Sequence, residues 1–336
     1  MKVASAESLG QAAWDGLLSG RPGGNLLQSW TWGELQSRFG WAVERLLFDE
    51  GASGVSSIQR ARSLFPGGAR YYVPRGPAVE PAVRDQIVGE LVERARKGSG
   101  MVLQVEPDSA PDGGWQRSLE HQGFKPGMSI QPLVTQLLRI DGDPEQLRAA
   151  FKPKTRYNLS LAERKGVTVS RSTDVQTFAR LSAETARRQG IALPGLAYYQ
   201  AALDLFLPLE AVRLYLAHHE GTPLAGIIVF RFGETAYYLF GASGLEKREL
   251  MPNYLLHWTA MLEFRSLGCT TYDWWGIPEE PKPDHPWFGL YRFKTGFGGD
   301  TVRYPGLHER VLRDAAWRWE ERLRKLKGRV RSPILG

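Results

Sequence analysis

The feature that most constrains the fold of this 336-residue chain is an order of elements that occurs twice. Each copy is predicted to contain a hairpin, a strand with a tyrosine pair, a bend at a glycine, a helix that begins at a proline, and a further strand. The first copy has these features at 54–74, Tyr71-Tyr72, Gly76, Pro81 and 101–106, and the second has them at 212–232, Tyr237-Tyr238, Gly241, Pro252 and 271–275. A repeat of this length predicts two domains of one architecture.

Antiparallel strands, then a helix, then a parallel strand form an order that resembles the N-acetyltransferase-like (GNAT) fold. We therefore expect an α/β (α+β) protein with two tandem GNAT-like domains. The first domain is expected to contain residues 1–139 and 306–336, because a long basic helix predicted at 306–331 returns to it. The second is expected to contain residues 140–305.

Charge and composition narrow the classes of partner without choosing one. The formal net charge is +7, which favours nucleic acid, a phosphorylated small molecule or an anionic membrane surface, with a merely basic protein as the alternative. The single cysteine, Cys269, allows no disulfide within the chain, and the N-terminus lacks the apolar segment of a signal peptide. No apolar run approaches the length of a membrane span. We therefore expect a cytoplasmic protein.

The segment YRFKTGFGG at 291–299 is the most suggestive chemical motif. It follows an apolar strand, so Phe293 and Lys294 are predicted to lie on a glycine-flanked loop near the end of a sheet. A lysine in that position is suited to bind a phosphate or to stabilise a developing oxyanion. The alternative is an ordinary surface lysine before a turn.

A GNAT enzyme that uses acetyl-CoA holds the pyrophosphate with backbone amides of an Arg/Gln-x-x-Gly-x-Gly/Ala loop that opens a helix. Neither the helix from Pro81 nor the helix from Pro252 is preceded by such a loop. The predicted fold therefore favours acyl transfer, while the missing loop argues against acetyl-CoA as the donor.

Several segments, in this order, resemble the Fem family of aminoacyltransferases. They are LQSWTWGEL at 27–35, GW at 40–41, YYVPRGP at 71–77, FKPKTRYNL at 151–159, KGV at 165–167, YYLFGAS at 237–243, PNY at 252–254 and LYRFKTGFGG at 290–299. The resemblance runs through most of the chain. No uninterrupted pair of heptad helices is present, so the chain is more similar to the compact members that lack a coiled-coil arm.

The resemblance implies transfer of an amino acid from aminoacyl-tRNA to the side-chain amine of a peptidoglycan precursor, in formation of the interpeptide bridge. The acceptor is then a UDP-linked or lipid-linked muropeptide, and neither a metal nor an organic cofactor is used. We further expect a monomer, with peripheral membrane contact as an option that the cationic C-terminal tail leaves open.

Site residues are also implied by the resemblance. Phe293 and Lys294 match residues important for transfer. The expected substrate-binding residues are Gln36, Tyr72, Arg75, Tyr198, Tyr238 and Asn253. Lys152, Lys154 and Arg156 are the candidates for contact with tRNA, although a solvated helix face explains them equally well.

Two positions depart from the pattern of the compact members. Gln36 stands where those members have a lysine that helps to hold the acceptor phosphates, and Pro194 and Gly195 occupy the region of an expected arginine. These departures put the grip on a UDP-type diphosphate in doubt, unless Arg38, Arg187 or Arg188 compensates.

Two other classes of function fit the same residues. One is a GNAT-like N-acyltransferase with another donor or acceptor, and the other is a degenerate relative that binds RNA or a membrane without catalysis. Dependence on aminoacyl-tRNA or on acyl-CoA distinguishes them. For the base that takes the proton of the attacking amine, the sequence offers Asp273, Glu80 or the substrate itself without choosing among them.

Overall fold

The computed structural model describes residues 1–109, 114–279 and 281–326. The chain divides into two compact units, one containing Met1–Leu133 with the segment from Arg303 onward, and the other containing Val134–Val302. The sequence-based boundary at 139/140 lies six residues later than this division, because the strand at Val134–Arg139 pairs inside the second unit.

The elements follow one another in two similar series. The first series is β1 (Val3–Ser5), α1 (Gln11–Ser19), α2 (Trp30–Arg38), β2 (Trp41–Phe48), β3 (Gly54–Arg62), β4 (Ala69–Pro74), β5 (Ala78–Val79), α3 (Arg84–Lys97), β6 (Gly100–Glu106), α4 (Trp115–His121) and β7 (Lys125–Pro126). The second is β8 (Val134–Arg139), α5 (Pro144–Ala150), α6 (Pro153–Arg164), β9 (Thr168–Ser172), α7 (Val175–Gln189), α8 (Leu196–Phe206), β10 (Val212–His219), β11 (Thr222–Phe232), β12 (Thr235–Ser243), α9 (Pro252–Ser266), β13 (Thr271–Gly276), α10 (Phe288–Lys294) and β14 (Asp300–Arg303). The chain then returns to the first unit with β15 (His308–Val311) and α11 (Asp314–Leu326).

The first unit is built on a sheet in the order β1-β2-β3-β4-β6-β15-β7, with β5 beside β3. Strands β4 and β6 are parallel and remain paired through six residue pairs, from Ala69–Gly100 to Pro74–Glu106. Helix α3 connects them and buries Ile87, Leu91 and Ala95, which recur at helical spacing. The apolar stripe of α3 therefore fixes the helix against the sheet.

The second unit repeats this plan with a sheet in the order β14-β8-β13-β12-β11-β10-β9. Strands β12 and β13 are its parallel pair, and α9 connects them. The buried face of α9, which includes Leu256, Met261 and Phe264, packs in one core cluster with Tyr272 and Trp274 of β13. Both copies of the predicted repeat thus place a helix between two parallel strands.

Several predicted elements differ from the structure, and each difference has a local cause. The helix expected at 144–166 is divided into α5 and α6, because Pro153 cannot continue a helix but begins one well. The long helix expected at 306–331 begins only at Asp314, since residues 308–311 pair with Val102–Val105 as β15. Residues 327–331 of that prediction lie outside the described residues. Among the described helices, none is both long and apolar enough to cross a bilayer.

Helix α11 is fastened to the β3–β4 turn by a buried carboxylate. Glu320 Oε2 accepts hydrogen bonds from Ser63 Oγ at 2.6 Å, Leu64 N at 2.8 Å and Phe65 N at 3.2 Å. Trp317, on the same face of the helix, packs in a small core cluster with Met101. A charged acceptor that binds three donors fixes the position of α11 on the first unit.

Glu320→Ala should destabilise the first unit by about 2 kcal/mol, because it leaves these three partly buried donors without their acceptor. For a unit of this size we expect the midpoint of thermal unfolding to fall by about 5 °C. Glu320→Gln keeps one acceptor oxygen and should lose less, and Glu321→Ala on the same helix should change the midpoint little. Equal melting of Glu320→Ala and the wild type would contradict this assignment.

Candidate functional site

The second unit contains an opening between its two parallel strands. Strands β12 and β13 pair only at Thr235–Thr271, Ala236–Tyr272 and Tyr237–Asp273. Beyond these three pairs, β12 continues to Ser243 and β13 to Gly276 without pairing with each other. The opening therefore begins at Tyr238, the second residue of the tyrosine pair, whereas its counterpart Tyr72 in the first unit is still paired with Gln104.

Lys294 donates hydrogen bonds to backbone carbonyls at this opening. Its Nζ donates hydrogen bonds to Trp274 O at 2.6 Å and Gly276 O at 2.8 Å, which are carbonyls of β13 beyond the last pair with β12. The same nitrogen lies 5.1 Å from the centre of the Tyr238 ring on β12. The ammonium thus takes the place of the missing strand partner, because buried carbonyls need donors.

The end of β13 is held from the other side by β8. Asp273 Oδ1 accepts hydrogen bonds from Trp275 N at 2.8 Å and from Thr135 Oγ1, and Thr135 Oγ1 also lies 3.1 Å from Trp275 O. These contacts hold Trp275 at a positive φ of 56°. Asp273 is thus buried and accepts a hydrogen bond from the backbone. Its carboxylate, which is one of the candidate bases named above, therefore stabilises the end of β13.

Burial controls the protonation of the groups around Lys294. It lowers the pKa of Lys294 to about 7, and the carboxylate of Asp273 acts against this shift. Burial, with the charge of Lys294 nearby, holds the pKa of His257 well below its ordinary value, so the imidazole is neutral at pH 7. His257 Nδ1 lies 2.8 Å from the Tyr272 hydroxyl. The surroundings of Lys294 are therefore mainly aromatic and include a neutral imidazole, while the Asp273 carboxylate lies close enough to act on its charge.

Phe293 connects this wall to a pocket. Its ring makes edge-to-face contacts with Tyr254 at 4.9 Å, His257 at 5.4 Å and Trp274 at 5.8 Å between centroids. A pocket of about 330 Å³ lies at the start of α9, and its lining residues are Leu224, Ser243, Glu246, Arg248, Glu249, Met251, Pro252, Asn253, Tyr254 and Phe293. The side chain of Phe293 is thus shared by the pocket and the cluster that buries Lys294.

The sequence-based description of Lys294 as a residue of an exposed loop is wrong in its geometry. Residues 288–294 form helix α10, and Lys294 is its last residue, only 5 % exposed. The aromatic residues of 288–293 obscured the helix in the sequence, because such side chains occur equally in strands and loops. Lys294 lies behind Phe293, not in the lining of the pocket.

The expected substrate-binding residues fall into two groups. Asn253 lines the pocket, and the half-buried ring of Tyr238 lies at the opening between the strands. Gln36, Tyr72, Arg75 and Tyr198 are each at most 3 % exposed, so their side chains contact protein in this conformation. Tyr198, for example, packs edge-to-face on Phe240 in the core of the second unit.

Tyr72 and Arg75 belong to a buried polar cluster of the first unit. The Tyr72 hydroxyl donates to Glu106 Oε2 at 2.6 Å, and Gln131 Nε2 lies 3.2 Å from the same hydroxyl. Arg75 donates to Pro132 O at 2.6 Å, and its guanidinium stacks 3.7 Å from the Tyr304 ring centre. Burial and the carboxylate of Glu106 raise the pKa of Tyr72, so this hydroxyl remains a donor.

The predicted basic cluster is divided by the structure. Lys152 and Lys154 are exposed at the start of α6. The half-buried Arg156 instead donates to the carbonyls of Ala149, at 2.9 Å, and of Phe151, so it caps the end of α5. Lys152 N donates to Gly296 O at 2.8 Å, which places the two exposed lysines beside the segment that follows Lys294.

Sequence reasoning missed the charged residues of the pocket, which are Glu246, Arg248 and Glu249. They lie between β12 and α9, the connection that follows the first of two parallel strands. The available signal was the Gly244–Pro252 segment, with its small residue, its charges and a proline that begins a helix. The pocket therefore offers an apolar wall, two carboxylates and one guanidinium at the start of α9.

Comparison with known proteins identifies a family. A model described as the FemAB family matches residues 116–220 and 209–314, which together cover more than half of the chain. The Lipid II:glycine glycyltransferase of Staphylococcus aureus (strain USA300) is 25% identical over 393 aligned positions, covering 92% of this chain and 93% of that protein. Because the alignment is longer than this chain, that relative has segments without a counterpart here.

Solved structures confirm the predicted fold of two tandem GNAT-like domains. The crystal structure of FemX has a TM-score of 0.85 at 23% identity, covering 95% of this chain and 99% of that one. A tandem GNAT protein from the clavulanic acid biosynthesis pathway has a TM-score of 0.56 at 14% identity, covering 92% of this chain and 98% of that one.

Lys294→Met should destabilise the second unit by about 1–3 kcal/mol, because two buried carbonyls lose their donor. The loss should grow with pH. The folded-state pKa is about 7, below the ordinary 10.5, so between these values the unfolded wild type retains a proton that the folded protein releases. Wild-type stability therefore rises with pH across that window, relative to the variant.

Unfolding of both proteins by urea at pH 6, 7, 8 and 9 measures this effect. Arg292→Met is the matched control, because Arg292 is exposed on the same helix, and it should change stability by less than about 0.5 kcal/mol. A Lys294→Met protein as stable as the wild type at every pH would show that the two hydrogen bonds contribute nothing.

Proposed function

Because the chain belongs to the FemAB family, we propose that it is an aminoacyltransferase, which moves an amino acid from aminoacyl-tRNA to the side-chain amine of a peptidoglycan precursor. The observation that carries this proposal is the pocket at the start of α9, with Phe293 in its wall. Because the ring of Phe293 also contacts Trp274 of β13, this pocket gives an activated acyl group a place next to the aromatic cluster that surrounds Lys294. The protein is proposed to act in the cytoplasm as a monomer.

The charges of the pocket favour an aminoacyl donor over an acetyl donor. An aminoacyl-tRNA 3′ end carries an α-ammonium group on the acyl part and phosphates on the nucleotide part. Glu246 and Glu249 offer carboxylates for the ammonium, and Arg248 offers a guanidinium for a phosphate. An acetyl group has no cation for these carboxylates to bind.

The reaction needs little covalent chemistry from the protein. The aminoacyl ester is already activated, so the neutral amine of the acceptor attacks its carbonyl carbon directly. A tetrahedral oxyanion forms, the bond to the ribose oxygen breaks, and a proton passes from the amine to the leaving oxygen. The protein contributes by holding the two substrates in line and by stabilising the developing negative charge.

We propose that Phe293 and Lys294 contribute to this step in different ways. Phe293 forms the pocket wall against which the acyl group is placed. Lys294 holds the strand end at Trp274 and Gly276, and its protonated form, which is populated up to about pH 7, supplies a positive charge behind that wall. As a buried group, this charge is screened less than a surface lysine would be.

The acceptor is proposed to be a muropeptide, linked to UDP or to a lipid. The relative from Staphylococcus aureus is named for transfer to lipid II, which favours the lipid-linked form. Tyr72, Arg75, Gln36 and Tyr198 remain candidates for acceptor binding only if the protein rearranges, since each is buried here.

The test supplies the full-length protein with a mixture of labelled aminoacyl-tRNAs and with muropeptide acceptors that carry a free side-chain amine. We expect transfer of label to the acceptor, which mass spectrometry of the product identifies by one added residue. Lys294→Met should lower turnover by roughly 100-fold or more, by comparison with the removal of other groups that stabilise an oxyanion. The exposed neighbour variant Arg292→Met should retain near wild-type turnover.

Acetyl-CoA forms the opposing arm of the same experiment, because the tandem GNAT likeness keeps an acyl-CoA donor as the second candidate. Tight stoichiometric binding of acetyl-CoA by calorimetry, or acetylation of the acceptor, would replace the aminoacyl-tRNA proposal. No transfer from any aminoacyl-tRNA to any of the acceptors would reject it.

Lys152 and Lys154 are proposed to contact tRNA phosphates beside the segment that follows Lys294. If they do, Lys152→Ala with Lys154→Ala should weaken tRNA binding and make its dependence on salt less steep, by about one to two units of the log–log slope. Arg164→Ala with Lys165→Ala removes the same charge from the far end of α6 and should leave that slope nearly unchanged. Equal slopes for both double variants would assign the lysines to an ordinary solvated helix face.

A further inference from the structure

The first unit carries an exposed aromatic and aliphatic surface that the proposed chemistry does not use. It is formed by Leu64 and Phe65 in the β3–β4 turn and by Trp319 on α11, and we name it the turn–helix patch. Leu64 is 37 % exposed and Trp319 is 42 % exposed, while the Phe65 and Trp319 rings meet edge to face at 5.5 Å. These side chains thus form one continuous surface.

The turn–helix patch is held rigidly from within. Glu320 accepts hydrogen bonds from the backbone N–H groups of Leu64 and Phe65, so the turn is bound to the helix that presents Trp319. Trp317 and Ala316 fill the inner face of α11. Trp319 is therefore exposed because the helix packs by its other face.

Cationic side chains surround the turn–helix patch. Arg313 stacks on Phe65, with its guanidinium carbon 5.7 Å from the ring centre, and the exposed Arg62 and Arg322 lie on β3 and α11. Arg318 is paired with Asp314 at 3.3 Å. The sequence from 322 to 331, RLRKLKGRVR, contains six cations, Arg322 among them, and no acidic residue. The described charged residues here are four arginines (Arg62, Arg313, Arg318 and Arg322) and three acidic residues (Asp314, Glu320 and Glu321), so their balance is positive.

We propose that the turn–helix patch binds an anionic lipid surface. Tryptophan and leucine enter the headgroup region, and flanking arginines pair with anionic headgroups while their stems remain along apolar surface. A single-stranded nucleic acid fits less well, because Leu64 offers no face for stacking. A second copy of this chain also fits less well, since three side chains bury far less than the roughly 800 Å² per partner of a stable interface.

This inference deepens the proposed function, because lipid binding places the enzyme at the membrane that holds a lipid-linked acceptor. Only this biological purpose of lipid binding rests on the proposed function. Binding to lipid is a property of the surface alone. It can therefore be measured without any donor or acceptor, so that its failure is distinguishable from failure of the transferase proposal.

The experiment is co-sedimentation of the full-length protein with vesicles of phosphatidylcholine alone, or of phosphatidylcholine with one quarter phosphatidylglycerol. We expect the wild type to bind the anionic vesicles at least tenfold more tightly, and more weakly in 0.5 M than in 0.1 M NaCl. Leu64→Ser with Trp319→Ser should reduce that affinity by about tenfold or more. Leu196→Ser with Leu209→Ser, which alters two exposed leucines of the second unit, should bind as the wild type does.

The single variant Leu64→Ser guards against loss of folding, because it retains Trp319 and the turn N–H groups that bind Glu320 and adds no charge beside that carboxylate. It should melt like the wild type and still bind anionic vesicles less tightly. Transfer to a water-soluble acceptor should be unchanged in both Leu64 variants.

Several results would overturn the inference. One is binding of the serine double variant within twofold of the wild type, which would assign lipid binding to the tail alone. Others are absence of vesicle binding by the wild type, a concentration-dependent dimer that the Leu64 variants abolish, and loss of tRNA affinity in those variants. A protein that binds vesicles through these residues but transfers no amino acid would keep the inference and lose the proposed function.

Discussion

The hydrogen bonds from Lys294 to the carbonyls of Trp274 and Gly276 are the interaction on which the second unit depends. Two parallel strands that separate inside a protein expose backbone groups that no longer have a strand partner. Such groups are costly to bury without donors. A lysine at the end of α10 satisfies two of them at once, so the opening between β12 and β13 persists without closing into a continuous sheet.

The same interaction explains why the two copies of one plan differ. In the first unit, the parallel strands remain paired to Pro74 and Glu106, and the Glu106 carboxylate accepts from Tyr72, Ile130 N and Gln131 N. That carboxylate fills the space near the strand ends with an internal network. In the second unit, an aromatic cluster and a lysine occupy the corresponding region, and a pocket remains at the start of α9. One copy is thus closed by polar contacts while the other stays open.

An aromatic environment has a chemical consequence for the open copy. Tyr238, Trp274 and Phe293 exclude water from Lys294, so burial lowers its pKa to about 7 and leaves His257 neutral. Charge in such surroundings acts over a longer range than at a surface. The arrangement therefore joins stability and function, since removal of Lys294 would alter the strand end, the pocket wall through Phe293, and the local charge together.

The amino-acid sequence by itself determined the repeat, the class of fold and most of the helices and strands. The positions of glycine and proline and the spacing of apolar residues are local information. The helix that begins at Pro252 and the apolar stripe of α3 are examples. The resemblance of 151–159 and 290–299 to one family pointed to a pair, Phe293 and Lys294, that the structure places at the opening. Only the tertiary structure decided which of the expected site residues reach a pocket. Lys294, Arg75 and Gln36 are expected from the resemblance to act on substrate, yet they are buried, and Arg156 binds carbonyls of its own chain. The pocket residues Glu246 and Glu249 were also missed, because burial and pocket lining depend on which distant strands pair and where that pairing stops.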